Sequence, residues 1–191
     1  ITYTAPASDN SNTCDYTDQN ALDTAFNNWV DAQTAAFSIA NGCSPVLTND
    51  SATASIPVLC DGGATTITWT ITDLCQTITE TADFTVTAPV AITYTAPASD
   101  NSNTCDYTDQ NALDTAFNNW VDAQTAAFSI ANGCSPVLTN DSATASIPVL
   151  CDGGATTITW TITDLCQTIT ETADFTVTAP VAITYTAPAS D

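Results

Sequence analysis

The chain has 191 residues with no Lys, Arg or His against 21 Asp and Glu, a formal net charge of −21. Without cations it lacks the groups that contact nucleic-acid phosphates or anionic membrane surfaces, and no side-chain salt bridge can form within it. Apolar burial, backbone hydrogen bonding and covalent bridges are left to hold the fold, and the acidic coat keeps neighbouring molecules apart in a salt-dependent way.

The sequence is an error-free repeat. Ile1–Ala91 recurs as Ile92–Ala182, and Ile183–Asp191 opens a third copy, a period of 91 residues. We read 1–91 and 92–182 as two identical domains and 183–191 as the first strand of a third. Starting and stopping in one strand-like segment reads as a window on a longer array. A spacer gains length from each identical copy, whereas an enzyme gains little, so repetition points to architecture before chemistry.

Taken in chain order, the repeat opens at Ile1–Pro6 with Ile, Tyr and Ala alternating against Thr, a strand pattern. Ala7–Asn12 reads as a polar loop. Leu22, Ala25, Phe26, Trp29 and Val30 fall on one stripe and predict a helix over Asp18–Gln33, with Thr17 as its cap and Trp29 buried. Ala36–Ala40 is an expected short strand, followed by a turn at Asn41-Gly42-Cys43. Val46–Thr48 and Ala54–Leu59 are weaker strands, and Pro57 makes the latter an edge or bend. After the Asp61-Gly62-Gly63 turn comes the clearest strand, Ala64–Asp73, in which Ile67, Trp69 and Ile71 alternate with threonines. Thr77–Ala88 returns with Ile78, Ala82, Phe84 and Val86 inward. Glu80 shares their parity, which a bulge or a solvated sheet end would reconcile. The pattern predicts a mainly β fold: tandem immunoglobulin-like antiparallel β-sandwich repeats, each with one short α-helix. Alternation continues from Phe84 through Val86, Ala88, Val90, Ile92 and Tyr94 to Ala96. One strand is therefore expected to cross the repeat boundary, stiffened by Pro89.

Each repeat has four cysteines, and an even count in a small loop-rich unit reads as disulfides in an oxidising compartment. A straight Ala64–Asp73 strand puts its ends roughly 30 Å apart at ~3.3 Å per residue, too far for Cys60 to reach Cys75. Cys43 is placed at the end of the Cys75 turn, and Cys14 with Cys60 at the opposite end. The expected bridges are Cys43–Cys75 and Cys14–Cys60, repeated as Cys134–Cys166 and Cys105–Cys151, with Cys14–Cys43 as the alternative. Each contributes roughly 3–4 kcal/mol by loop entropy. A zinc site is the competing reading, but CxxC pairs and histidines are lacking.

The stretch from Cys14 to LDTAFNNWV, the Asn41–Cys43 turn, Cys60–Cys75 (CDGGATTITWTITDLC) and Ala82–Pro89 (ADFTVTAP) together resemble the HYR-like, immunoglobulin-like modules that occur in tandem in very long surface proteins of Bacteroidota. Leu74-Cys75-Gln76 departs from the aspartate-cysteine-glycine hairpin usual there. The resemblance implies an exported adhesin, stalk or filament module and transfers no catalytic residues. It also implies Asp-(Ser/Thr)-apolar O-glycosylation motifs. Asp50-Ser51-Ala52 makes Ser51 and Ser142 acceptors in an accessible loop. Asp23-Thr24-Ala25 makes Thr24 and Thr115 less accessible ones on the helix. Asn49-Asp50-Ser51 also fits an N-glycan acceptor. In a chain so rich in Asp, Ser and Thr, chance explains such tripeptides as well.

Catalysis is not expected. Asp61, Asp73 and Glu80 suit turns better than a hydrolytic pair, and Ser or Cys nucleophiles lack a base. No cofactor is expected. Calcium is the one ion considered, because Asp9, Asp15 and Asp18 cluster with Asn10 and Asn12, although a solvated polar loop explains them equally. The functional expectation is a structural spacer module of an extracellular filament, stalk or giant adhesin. Its partners are neighbouring identical repeats and, in a glycoprotein or ligand-binding form, glycans. The rival readings are a ligand-binding adhesin repeat, marked by exposed Tyr3, Tyr16 or Trp, and a subunit assembled by strand donation.

Overall fold

The computed structural model describes residues 1–187. The chain divides into two compact units. One comprises Ile1–Ala91 together with Asn132–Ser135 and Asp164–Cys166; the other comprises Ile92–Ala131, Pro136–Thr163 and the chain from Gln167 onward.

In the first unit the elements are β1 (Asp9–Asn12), α1 (Gln19–Ala36), β2 (Val46–Asn49), β3 (Gly63–Thr72) and β4 (Thr77–Thr87). They form one sheet of order β1-β4-β3-β2. In the second, β5 (Asp100–Asn103), α2 (Gln110–Ala127), β6 (Val137–Asn140), β7 (Gly154–Thr163) and β8 (Thr168–Thr178) repeat the arrangement, with order β5-β8-β7-β6. The chain is mainly β, and each unit is sandwich-like. One layer is the four-stranded sheet, and the helix packs against the face that carries the core.

Periodicity explains the core. Along β3, Thr65, Ile67, Trp69 and Ile71 are buried, and along β4 Ala82, Phe84 and Val86 are. From α1, Leu22, Phe26, Trp29 and Val30 bury one stripe. Phe26 meets Phe84 edge-on at 5.5 Å, and Trp29 meets Trp69 edge-on at 5.6 Å. Such pairs add about 0.5–1.5 kcal/mol each beyond the area they bury.

The helix differs from expectation at both ends. Asp18, not Thr17, is the cap, and its Oδ1 accepts from Ala21 N at 2.8 Å. The helix runs on to Ala36, so the strand expected at Ala36–Ala40 is reduced to one bridge between Ala40 and Thr2. Thr34, in the last turns of that helix, donates its hydroxyl to Val30 O one turn back, at 2.7 Å. Ala54–Leu59 is likewise no strand. The side chain of Gln19 takes the ladder's place, with Nε2 donating to Pro57 O at 3.1 Å and Oε1 accepting from Leu59 N at 2.8 Å.

The Ala7–Asn12 loop is in part a strand, since β1 runs parallel to β4 from Asp9↔Phe84 to Asn12↔Thr87. Ile1–Pro6, expected as a strand, makes only the Thr2 bridge. The strand expected to cross the repeat boundary does not form. β4 ends at Thr87, whose carbonyl oxygen accepts from the Thr13 hydroxyl at 3.1 Å. Pro89, two residues on, has no N–H to continue the ladder. Residues 183–187 are not in a strand, and the rest of the expected 183–191 segment lies outside the described residues. No bulge accommodates Glu80 either. Pairing of β3 with β4 is unbroken from Gly63↔Val86 to Thr72↔Thr77, and the Tyr3 hydroxyl donates to the Glu80 carboxylate on the inner face.

Candidate functional site

The cysteines are held by short, heavily hydrogen-bonded turns. Cys14 lies in a single 3-10 turn, Thr13–Asp15, closed by a capping box: Cys14 N donates to Asn12 Oδ1 at 3.0 Å, and Asn12 N donates to Asp15 Oδ2 at 2.8 Å. Between them Thr13 is buried, and its hydroxyl also reaches Leu59 O at 2.5 Å. That contact fixes Cys14 at the same end of the sheet as Cys60. Cys60 lies in the turn that Gly62 closes by donating to Val58 O at 2.9 Å.

At the opposite end one carboxylate organises two cysteine turns. Asp73 accepts from Cys43 N, at 2.9 Å to Oδ1 and 3.0 Å to Oδ2, and from Leu74 N at 2.6 Å. Its counterpart Asp164 accepts from Cys134 N at 2.8 Å and from Cys166 N at 2.9 Å. Gly42 makes room for this: its φ is +92°, and a Cβ there would lie 2.8 Å from Asp73 Oδ2. Sequence reasoning read Asp73 as a turn former only. The signal available was its place two residues before one cysteine, beside a Gly-Cys turn expected at the same sheet end.

The bonds themselves correct the expected pairing. Cys14 is bonded to Cys134 with Cα atoms 5.1 Å apart, and Cys60 to Cys166 at 5.5 Å, across 120 and 106 residues of chain. Neither Cys14–Cys60 nor Cys43–Cys75 forms, nor Cys134–Cys166 nor Cys105–Cys151, and the alternative Cys14–Cys43 is absent too. Cys43, Cys75, Cys105 and Cys151 are free and exposed. Placement of the cysteines at two ends agrees with expectation. What differs is that each bond joins one repeat's first-end cysteine to the next repeat's second-end cysteine. An even count per repeat is equally compatible with bonds within a period and bonds one period on.

The other candidates are dispersed. Asp9 is in β1, Asp15 is spent on the capping box and Asp18 caps α1. Among the described residues no three His, Cys, Asp or Glu side chains are grouped to hold a metal ion. Ser51 is half-buried and donates to Asn49 Oδ1 at 2.6 Å, while Thr24 is exposed on α1, the reverse of the expected order of accessibility. Ser142 makes the same bond to Asn140 at 2.6 Å, and Thr115 repeats Thr24 by donating to Asn111 O at 2.8 Å. Tyr3 and Tyr16 are half-buried with their hydroxyls bonded to Glu80 and Ser11, and Trp29 and Trp69 are buried. The hydrogen bond to Glu80, then burial, then the charge of that carboxylate hold the Tyr3 hydroxyl above the ordinary phenol range; Glu171 does the same to Tyr94.

No protein-family model matches the chain, and no curated protein matches it. Among solved structures it is similar to the titin domains Z1Z2 in complex with telethonin (12% identity, 94% of this chain and 97% of that one, TM-score 0.31). A chimeric titin Z1Z2-Z1Z2 tandem also aligns (11% identity, 93% and 99%, TM-score 0.28). So does an endo-fucoidan hydrolase of glycoside hydrolase family 107, at 11% identity and TM-score 0.26, where the match spans 73% of this chain but only 24% of the hydrolase. Similarity at this level assigns neither family nor activity.

Proposed function

We propose that the chain is a structural repeat module, a non-enzymatic semi-rigid spacer of an extracellular filament, stalk or giant surface protein. The observation that carries this reading is the covalent linkage. Cysteines of one 91-residue repeat are bonded to cysteines of the next, twice. Two covalent bonds thus join successive repeats in addition to the single backbone connection. The expected stiffening by one continuous strand is replaced, on this reading, by disulfides.

Disulfides persist in oxidising surroundings, which supports an exported location. Among the described residues no helix is long and apolar enough to cross a membrane. Kinship with HYR-like modules of Bacteroidota surface proteins, and O-glycans on Ser51, Ser142, Thr24 or Thr115, belong to the same proposal and rest on the sequence motifs. Thr24 and Thr115 are the better acceptors on exposure. Strand donation draws no support, because residues 1–8 are held by their own repeat: Trp29 Nε1 donates to Ala7 O at 3.1 Å, and Asp83 N donates to Ser8 Oγ at 3.0 Å.

Small-angle scattering of the chain before and after reduction tests the spacer. A single well-defined distance distribution that broadens on reduction is expected. Freely pivoting globules in the oxidised chain would overturn the reading.

A further inference from the structure

The two disulfides obey one rule. Cys134 and Cys166 are Cys43 and Cys75 displaced by one period, so the bonds run from position 14 of a repeat to position 43 of the next, and from position 60 to position 75 of the next. Under that rule the four free thiols are two matched half-sites. By that rule Cys43 and Cys75 are the half that bonds to a preceding repeat, and Cys105 and Cys151 the half that bonds to a following one.

The geometry points to a head-to-tail disulfide ladder, in which Cys105 and Cys151 bond to Cys43 and Cys75 of a second copy of this chain. This deepens the spacer reading and rests on it. Beyond the pairing rule, Cys105, Cys151 and Cys43 sit in the local frames that hold their bonded counterparts. Cys105 N donates to Asn103 Oδ1 at 3.0 Å, and Asn103 N donates to Asp106 Oδ2 at 2.8 Å, as around Cys14. Thr104 reaches Leu150 O at 2.7 Å and Thr178 O at 2.9 Å, as Thr13 reaches Leu59 O and Thr87 O. Gly153 closes the Cys151 turn on Val149 O at 2.9 Å, as Gly62 closes that of Cys60. At the other end Asp73 holds Cys43 N as Asp164 holds Cys134 N. All four free thiols are exposed, so a second copy can reach them. Because the two half-sites differ, the contact is heterologous and can add copies one after another.

The oxidant is a small-molecule disulfide such as oxidised glutathione. The Cys105 thiolate attacks one of its sulfurs and one glutathione thiolate leaves. The Cys43 thiolate of the second copy then attacks the Cys105 sulfur, forming the protein bond and expelling the second glutathione thiolate. The two protein thiols lose two electrons and two protons; the reagent is reduced to two glutathiones, and the protons pass to the leaving thiolates or solvent. Cys151 and Cys75 react in the same way.

The test incubates the full chain with oxidised glutathione and reads a non-reducing denaturing gel. Bands at successive multiples of 19.8 kDa that collapse on reduction are expected. C43S/C75S and C105S/C151S should each stay monomeric alone, and an equimolar mixture should give dimer and nothing larger. Both variants leave the Cys14–Cys134 and Cys60–Cys166 bonds intact, and exposed Cys→Ser changes spare the core. With one variant 15N-labelled, hybrid-mass peptides from cleavage at acidic residues should pair position 14 with 43 and position 60 with 75. No dimer in the mixture, self-dimers of either variant, or hybrid peptides of another pairing would overturn the ladder. Scattering from the unmixed oxidised chain is read separately, so a well-defined particle that forms no ladder removes this inference and leaves the spacer standing.

Discussion

Trp69 Nε1 donates to Thr34 Oγ1 at 2.9 Å, so the single polar atom of a fully buried indole is satisfied by a hydroxyl of the facing helix. Thr34 in turn donates to Val30 O and accepts from Asn49 Nδ2 at 3.2 Å, tying α1, β2 and β3 at one oxygen. Thr34→Val keeps the shape and removes the acceptor. Leaving a buried donor unpaired costs about 1–3 kcal/mol. Denaturant unfolding of Thr34→Val should show a loss of that size, and Thr34→Ser, which restores the hydroxyl, should recover most of it. Thr125 with Trp160, at 2.8 Å, should behave alike in the second unit.

Gly62 has a φ of +66°, and a Cβ on it would lie 2.7 Å from both Val86 O and Ala88 N. These are backbone atoms and cannot rotate away. Gly62→Ala should therefore cost more than the roughly 1–2 kcal/mol of the left-handed conformation alone. The displaced turn carries Cys60, so thiol titration of the refolded variant should find more than the four free thiols of the wild type. An unchanged midpoint and an unchanged thiol count would contradict this account.

The apolar alternations of β3 and β4 and the stripe of α1 could be read from the residues because each buries one regular face. What could not be read were elements held by polar side chains. β1 is a run of Asp, Asn and Ser that pairs through its backbone with the edge of β4, which no hydrophobic period reports. Gln19 replaces a strand around Pro57, and Thr13 ends β4 at Thr87; both act across 38 to 74 residues of chain. For the cysteines, the turn positions gave the correct ends of the sheet, but pairing across a period depends on tertiary placement that spacing within one repeat does not contain.

Reduction should be costly in this chain. Closing a loop of 120 residues restricts the unfolded chain by about 5 kcal/mol in the chain-entropy account, and a second bond of similar span adds a smaller increment. Dithiothreitol should lower the thermal midpoint markedly. C14S and C134S should reproduce each other's loss, since each breaks the same bond. C43S should change the midpoint little, because Cys43 is free and exposed. A C43S loss equal to that of C14S would place the stabilising bond elsewhere.

The Tyr3–Glu80 and Tyr94–Glu171 pairs make stability sensitive to alkaline pH. Tyr94 donates to Glu171 Oε1 at 2.5 Å, and both phenols are held above their ordinary value near 10, first by the hydrogen bond to the carboxylate, then by burial and then by its charge. The folded state thus favours the protonated phenol more than the unfolded state does. Its contribution is complete below the unfolded value of about 10 and is lost as pH rises through the higher folded value. With the free thiols alkylated, unfolding midpoints should be flat in this respect up to about pH 9 and fall above pH 10. In the Tyr3→Phe/Tyr94→Phe variant that fall should be smaller, and the phenol ionisation of the folded protein above pH 10, followed by absorbance at 295 nm, should lose amplitude. An equally steep alkaline fall in the double variant would show that these two hydroxyls are not its source.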